Sequence, residues 1–545
     1  MKRIGTHLHS KNSQVLGLLT IVGVFIMTFC SYTSPAFYFD TSPDNNAFFT
    51  VGKAMMHGIV PYKDIFEQKG PYVYFLHGLA YLVSNRSFLL IFVYEVATLV
   101  AAMFLVYKLG QLLKVSQLGA LLIALLSPLL FLYHPYYDYG DTVEFFTLPL
   151  LISLVYLLVL LDQRGLTVSH WWFFAQGAIV GVVFLSKYTL LGAWIVFYLG
   201  LVGGLLAKRQ WRQLGRVVGW SAGGFLVTTV PWLIYFLVTG GLRAFINVYI
   251  LFNTKVYLTS SVAAFSNLVQ SMTVVSQFFQ NNVLFFLLGV VGTLLVTFQR
   301  DVFQHNFTRG LYLLTMLGCD LFALYGYQAG SVYQYYELIY FAGFVLPFVY
   351  LGKLFFARVQ LPNENEDTFA ILATLIISLF LVLGVNNNVT NSKIFPNNAS
   401  VTEKATTKPQ QPAQLVFGHI MRSAHAPLTM LNYGSIDMGF YTASGAVPST
   451  YFFQNYNIPQ ASAPQILQSQ VNLIKQGQVE WVVLNTPAGK TVKQWQGGGG
   501  RISSGNLNPG TAKLAKPLNE NYREVAQHTQ VFEGVSVTYW LYRLR

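Results

Sequence analysis

Apolar runs long enough to cross a hydrocarbon core of about 30 Å, which takes roughly 17–25 residues, recur along the first 385 positions of this 545-residue chain. Inside lipid a backbone must satisfy its own hydrogen bonds, so such runs can only be helices or closed barrels. Runs this long exceed what a barrel strand needs, and they select helices. Charged residues make up only 10% of the chain, against roughly a quarter in a soluble domain. The sequence therefore reads as a mainly α-helical, multi-pass membrane protein.

The runs predict eleven transmembrane helices, at about 15–33, 87–107, 117–132, 143–161, 172–186, 188–207, 215–238, 281–298, 310–326, 334–351 and 368–385. The basic residues then set an orientation, because short cytoplasmic loops carry the excess of Lys and Arg. Lys2, Arg3 and Lys11 precede the first run, and Lys108 and Lys114 lie in the 107–116 link. "AKRQWRQLGR" (207–216) has four basic residues and no acid, Arg300 and Arg309 flank another link, and Lys353 and Arg358 a third. All five groups fall on one side of the eleven-helix count, which makes that side cytoplasmic. The N-terminus is then cytoplasmic and the region after 386 extracytoplasmic. The formal charge of +13 follows from this topology and does not call for nucleic acid. "MKRIGTHLHSK" and the run Val15–Phe29 look like a signal peptide, but bulky residues follow where a cleavage site would need small ones, so the first helix is expected to stay. Cys30 and Cys319 lie far apart in apolar segments and are expected as single buried thiols.

With this orientation the loops 34–86, 133–142, 239–280 and 327–333 face outward. Acids concentrate in the first two: Asp40, Asp44, Asp64 and Glu67, then Asp138, Asp141 and Glu144. Loops are also where charge is solvated, so this concentration alone does not choose a function. Asp64 and Glu67 can equally form local pairs with Lys63 and Lys69, and Lys187 can equally snorkel from a helix end. His57, His77 and His134 lack metal-ligand spacing. Glu95 and Asp320 sit within apolar helices and are left outside the candidate site.

The polar stretch 386–412, rich in Asn, Thr and Pro, reads as a linker between a membrane domain (1–385) and an external domain (413–545). In that domain "PLTMLNYG", "VEWVVLN" and "GVSVTYWLYRL" read as strands, and "APQILQSQVNLIKQG" has helical spacing. A small α/β domain results. "QGGGGR" (496–501) lacks the strand and helix that a phosphate-binding loop needs.

One pattern is more specific. "SPDNNAFFTVGKAMMHGIVPYKDIFEQKGPYVYFLHGLAYLV" (42–83) resembles the first external loop of GT-C superfamily glycosyltransferases, among them the protein O-mannosyltransferases and the aminoarabinose transferases of lipid A. The matching parts are the acid Asp44, the amphipathic run Ala47–Met56, Gly58–Pro61, and Lys69-Gly70-Pro71 before an aromatic-rich helix. "PYKDIF…KGP" is close to a Gram-positive bacterial form of this loop. "YGDTVEFFTLPLL" (139–151) resembles the second external loop, with Glu144 in the acidic position and Asp141 beside it. "GAIVGVVFLSKYTLLGAW" (177–194) resembles the turn between the fifth and sixth helices and brings Lys187. "QAGSVYQYYELIYF" (328–341) matches the aromatic pattern before a late helix and brings Tyr335 and Tyr336.

The resemblance covers about 10–385 and implies a GT-C-like fold and transfer of a sugar from a polyprenyl-phosphate donor to a cell-envelope glycan, lipid or protein. It implies Asp44 and Glu144 as catalytic residues, and Lys69, Lys187, Asp64, Glu67, Asp141, Tyr335 and Tyr336 as substrate contacts. Many relatives have paired acids where this chain has Asp44-Asn45, which weakens a two-carboxylate metal site, although a divalent cation stays open. The late loop has no Arg, Lys or His, which leaves the phosphate to Lys69, Lys187, Arg243 or Lys255. The competing reading is a transporter or flippase of lipid-linked sugars, which would ordinarily show inverted repeats; none is evident.

Overall fold

The computed structural model describes residues 2–138, 140–257, 272–325 save 274, 275 and 278, 334–358, 364–395, 411–497 save 457, 459 and 461, 509–532 and 535–545. Each of the eleven apolar runs carries a helix. Among the described residues seven helices are long and apolar enough to span a membrane, and Gln117–Phe131, Gly192–Ala207 and Val283–Phe298 are shorter apolar ones. The eleventh is Asn306–Tyr325. The run at 334–351 begins as a 3₁₀ segment, Gln334–Tyr340, before the α-helix Phe341–Phe356.

The chain forms two compact units that do not follow chain order: Met1–Cys30, Val93–Ile234 and Ser261–Asn387 in one, and Ser31–Phe92, Tyr235–Ser260 and Asn388–Arg545 in the other. In the first, helix Val143–Arg164 lies at the centre, its apolar window 78% buried, whereas that of Asp367–Asn386 is only 11% buried. Lipid tails are as apolar as leucine, so close backbone approach holds such helices together. Gly192–Ala207 and Asn306–Tyr325 meet this way: a Cβ on Gly192 would lie 2.1 Å from the Gly318 oxygen. Cys319 and Cys30 are both buried and unbridged.

In the second unit the first outer loop is largely helical. Ser42 caps Pro43–Met56 by accepting the Asn45 N–H at 3.3 Å, and Pro43 opens the first turn. Gly70 and Pro71 start the helix Pro71–Val83. The two helices cross at Gly52, where a Cβ would lie 2.4 Å from the Gly78 nitrogen. In the 239–280 stretch, Leu242–Phe245 is helical and Ile246–Tyr257 is a π-helix; 258–271 lies outside the described residues.

The same unit holds a four-stranded sheet in the order β1-β2-β4-β3, with β1 (Met430–Asn432), β2 (Trp481–Pro487), β3 (Tyr522–Phe532) and β4 (Val535–Leu544). β1 pairs with β2 in parallel and the other pairings are antiparallel. Three of these strands lie where the sequence placed them, as does helix Gln465–Lys475. β3 was missed, because "YREVAQHTQVF" mixes charge into an edge strand that pairs on one side only. The core gathers Leu431, Val482, Leu484, Ile474, Leu518 and Tyr542. Most of the 386–412 stretch and of "QGGGGR" lies outside the described residues.

Candidate active site

Two carboxylate–lysine pairs stand out, one in each unit. In the helical unit Thr142 caps Val143–Arg164 by accepting the Phe145 N–H at 3.2 Å, which places Glu144 in the first turn. There the helix dipole favours an anion. Lys187 ends helix Trp171–Lys187 and ion-pairs with Glu144 Oε1. Its ammonium also lies 3.4 Å from the centre of the Tyr336 ring and 5.8 Å from that of Tyr335. The pair is buried, with side-chain exposures of 11% for Lys187 and 1% for Glu144. Asp141 is buried in the turn before this helix. Four predicted candidates, Glu144, Lys187, Tyr335 and Tyr336, thus form one cluster.

In the other unit Asp44 occupies the first turn of Pro43–Met56. Lys69, just ahead of Pro71–Val83, brings its Nζ to 3.8 Å from Asp44 Oδ2, with exposures of 20% and 44%. The Lys69 ammonium lies 5.8 Å from the Phe48 ring centre. Glu67 is buried, and desolvation pushes its carboxyl up to about 7, partly offset by the Gln68 N–H and the Lys69 charge. Asp64 is exposed and accepts the Val60 N–H at 2.9 Å, closing its own turn. Lys63 donates to the Thr239 oxygen at 2.9 Å.

Behind Asp44 lies a buried polar network that the sequence did not reveal. Asp40 accepts from the Ser42 N–H at 2.8 Å and from the Asn45 amide, and Asn45 meets His77 Nε2 at 2.9 Å. Burial pushes Asp40 up to about 7 and His77 down to about 4. Lys53, fully buried, donates to the Tyr441 and Ala446 oxygens at 2.8 and 3.0 Å, and burial brings it down to about 7 despite the Asp437 charge. Thr50 donates to Asp437 at 2.6 Å. A lysine inside the apolar run "FFTVGKAMM" was the one visible signal of this network.

Among the described residues no three His, Cys, Asp or Glu side chains come together as a metal site would need. A cavity of about 380 Å³ in the helical unit is walled by Gly289, Leu294, Met316, Leu317 and Phe344, with Asp320 on its lining.

No family model matches the chain, and no curated protein matches it. Solved structures do match it, among them two that align over nearly the whole length. Both are of ArnT from Cupriavidus metallidurans. The one bound to undecaprenyl phosphate is 12% identical, covers 97% of each chain and superposes with a TM-score of 0.53. The apo one is 13% identical, covers 98% of each chain and gives 0.55. At such identity the likeness establishes the fold. It is a multi-pass helical fold, as the apolar runs implied.

Proposed function

We propose that this chain is an integral-membrane glycosyltransferase that moves a sugar from a polyprenyl-phosphate carrier to a cell-envelope acceptor on the outer face of the membrane. The observation that carries the proposal is the half-exposed Asp44 carboxylate beside the Lys69 ammonium, in a fold shared with a protein solved with undecaprenyl phosphate. In this reading the N-terminus is cytoplasmic, residues 386–412 are a linker and 413–545 form an extracytoplasmic domain.

The chemistry assigned to these residues balances simply. An acceptor hydroxyl oxygen attacks carbon 1 of the sugar, and its proton passes to the Asp44 carboxylate. The bond from carbon 1 to the phosphate oxygen breaks, and its electron pair leaves with the polyprenyl phosphate, which gains one negative charge. Lys69 stabilises that charge. Attack opposite the leaving group inverts the anomeric centre. Asp44 as general base is worth ~10²–10⁴-fold in rate. The apolar cavity by Phe344 is suited to part of an isoprenoid chain. Glu67 supports the segment that carries Lys69.

The test compares envelope sugars in a deletion strain and its parent. Loss of one sugar from one envelope component, restored by the wild-type gene and not by Asp44→Asn, supports the reading. Unchanged envelope sugars, together with no release of lipid phosphate by the purified protein, would reject it.

A further inference from the structure

The first-loop segment that carries Lys69 is held at almost every peptide, and most of its partners come from the other end of the chain. The Phe66 N–H donates to the Tyr451 oxygen at 2.9 Å, and the Tyr456 hydroxyl donates to the Phe66 oxygen at 2.5 Å. The Phe66 ring lies 4.8 Å from that of Tyr456 and 5.4 Å from that of Phe452. Glu67 accepts the Gln68 N–H at 2.6 Å on one oxygen and the Gln454 amide at 2.8 Å on the other. Gln454 is itself fixed, its oxygen accepting the Asp437 N–H at 2.6 Å. Asn253 donates to the Gln68 oxygen at 2.8 Å and Tyr62 to the Lys69 oxygen at 2.6 Å.

Packing alone does not call for this arrangement. A buried carboxylate costs stability unless its hydrogen bonds are complete, and an apolar side chain of the same size would hold a loop as well. What Glu67 and its partners supply is direction, because they fix the backbone that leads into Lys69.

We infer that the segment Tyr451–Tyr456, acting through Gln454 and Tyr456, is a positioning element that sets Lys69 against Asp44, so that the C-terminal region takes part in holding the donor phosphate. The inference rests on the function proposed above. Gln454 and Tyr456 act through Lys69 and touch no substrate in this account.

The test uses the full chain in lipid nanodiscs, with undecaprenyl phosphate as the probe. Lys69→Met is expected to weaken its binding about tenfold, and Gln454→Ala by a similar factor with the melting temperature kept within a few degrees. The double variant should bind no more weakly than Lys69→Met alone, since both act on one contact. Gln454→Glu should bind normally near pH 6, where it can share a proton with Glu67, and poorly near pH 8. Additive losses in the double variant, or wild-type binding by Gln454→Ala, would overturn the inference. Hydrogen exchange at residues 66–69 is the second readout, expected to be at least tenfold faster in Gln454→Ala and in Tyr456→Phe. Unchanged exchange would overturn the positioning role even if the lipid does not bind. A wild-type protein that fails to bind the lipid rejects the phosphate role and counts against the proposed function.

Discussion

The two carboxylate–lysine pairs begin from the same local device and end in opposite surroundings. Glu144 and Asp44 both sit in the first turn of a capped helix, and each lysine reaches its partner from another helix end or its approach. Yet Glu144 is 1% exposed and its lysine is packed under a tyrosine face, while Asp44 is 44% exposed and its lysine stands 3.8 Å away. A buried pair cannot lose one member without stranding the other's charge. A half-exposed pair can, because water screens what remains. In the proposed mechanism this difference divides the work: the first pair holds a cation in place, and the second exchanges a proton with the acceptor.

The largest effect is expected at the buried pair. Glu144→Gln or Lys187→Met should destabilise the folded protein by about 3–5 kcal/mol, seen as lost melting temperature and poor recovery from membranes. Combining the two should restore most of that stability. A single variant that keeps its melting temperature would show that the pair is not structural. Next, Lys69→Met should raise the donor KM about tenfold with the melting temperature nearly unchanged, since the exposed pair contributes little to folding. An unchanged KM would move the phosphate contact elsewhere, Arg243 and Lys255 being the next candidates.

A smaller effect concerns pH. Burial raises Asp40 and Glu67 to about 7, so each keeps a proton in the fold that the unfolded chain gives up near pH 4. Their contribution is fully present below the unfolded pKa and is lost as pH rises through 7. Glu67→Gln should therefore flatten the fall in melting temperature between pH 5 and 7; an unaltered slope would mean that Glu67 is not protonated in the fold. Smallest of all, Asp64→Asn should change turnover by no more than about twofold, because its carboxylate is exposed and closes only its own turn.

The helices were legible because each apolar run states its own length, and the loop helices because a multi-part motif marks them. Asp44 and Lys69 were found within that motif. The Glu144–Lys187 pair was found as two separate residues; their pairing spans 43 positions and leaves no mark in either local pattern. The network around Lys53 was illegible for the same reason on a larger scale: Thr50 meets Asp437, and Gln454 meets Glu67, each across 387 positions. Periodicity reports which face of a helix is buried, and only the folded chain says what it is buried against.

The central claim is that Asp44 takes the acceptor proton in a sugar transfer from a polyprenyl-phosphate donor. Single-turnover transfer by purified wild-type and Asp44→Asn protein, with donor binding measured in the same samples, tests it most directly. Turnover should fall by ~10²-fold or more in Asp44→Asn, with donor affinity within about twofold. Near-normal turnover in Asp44→Asn would contradict it.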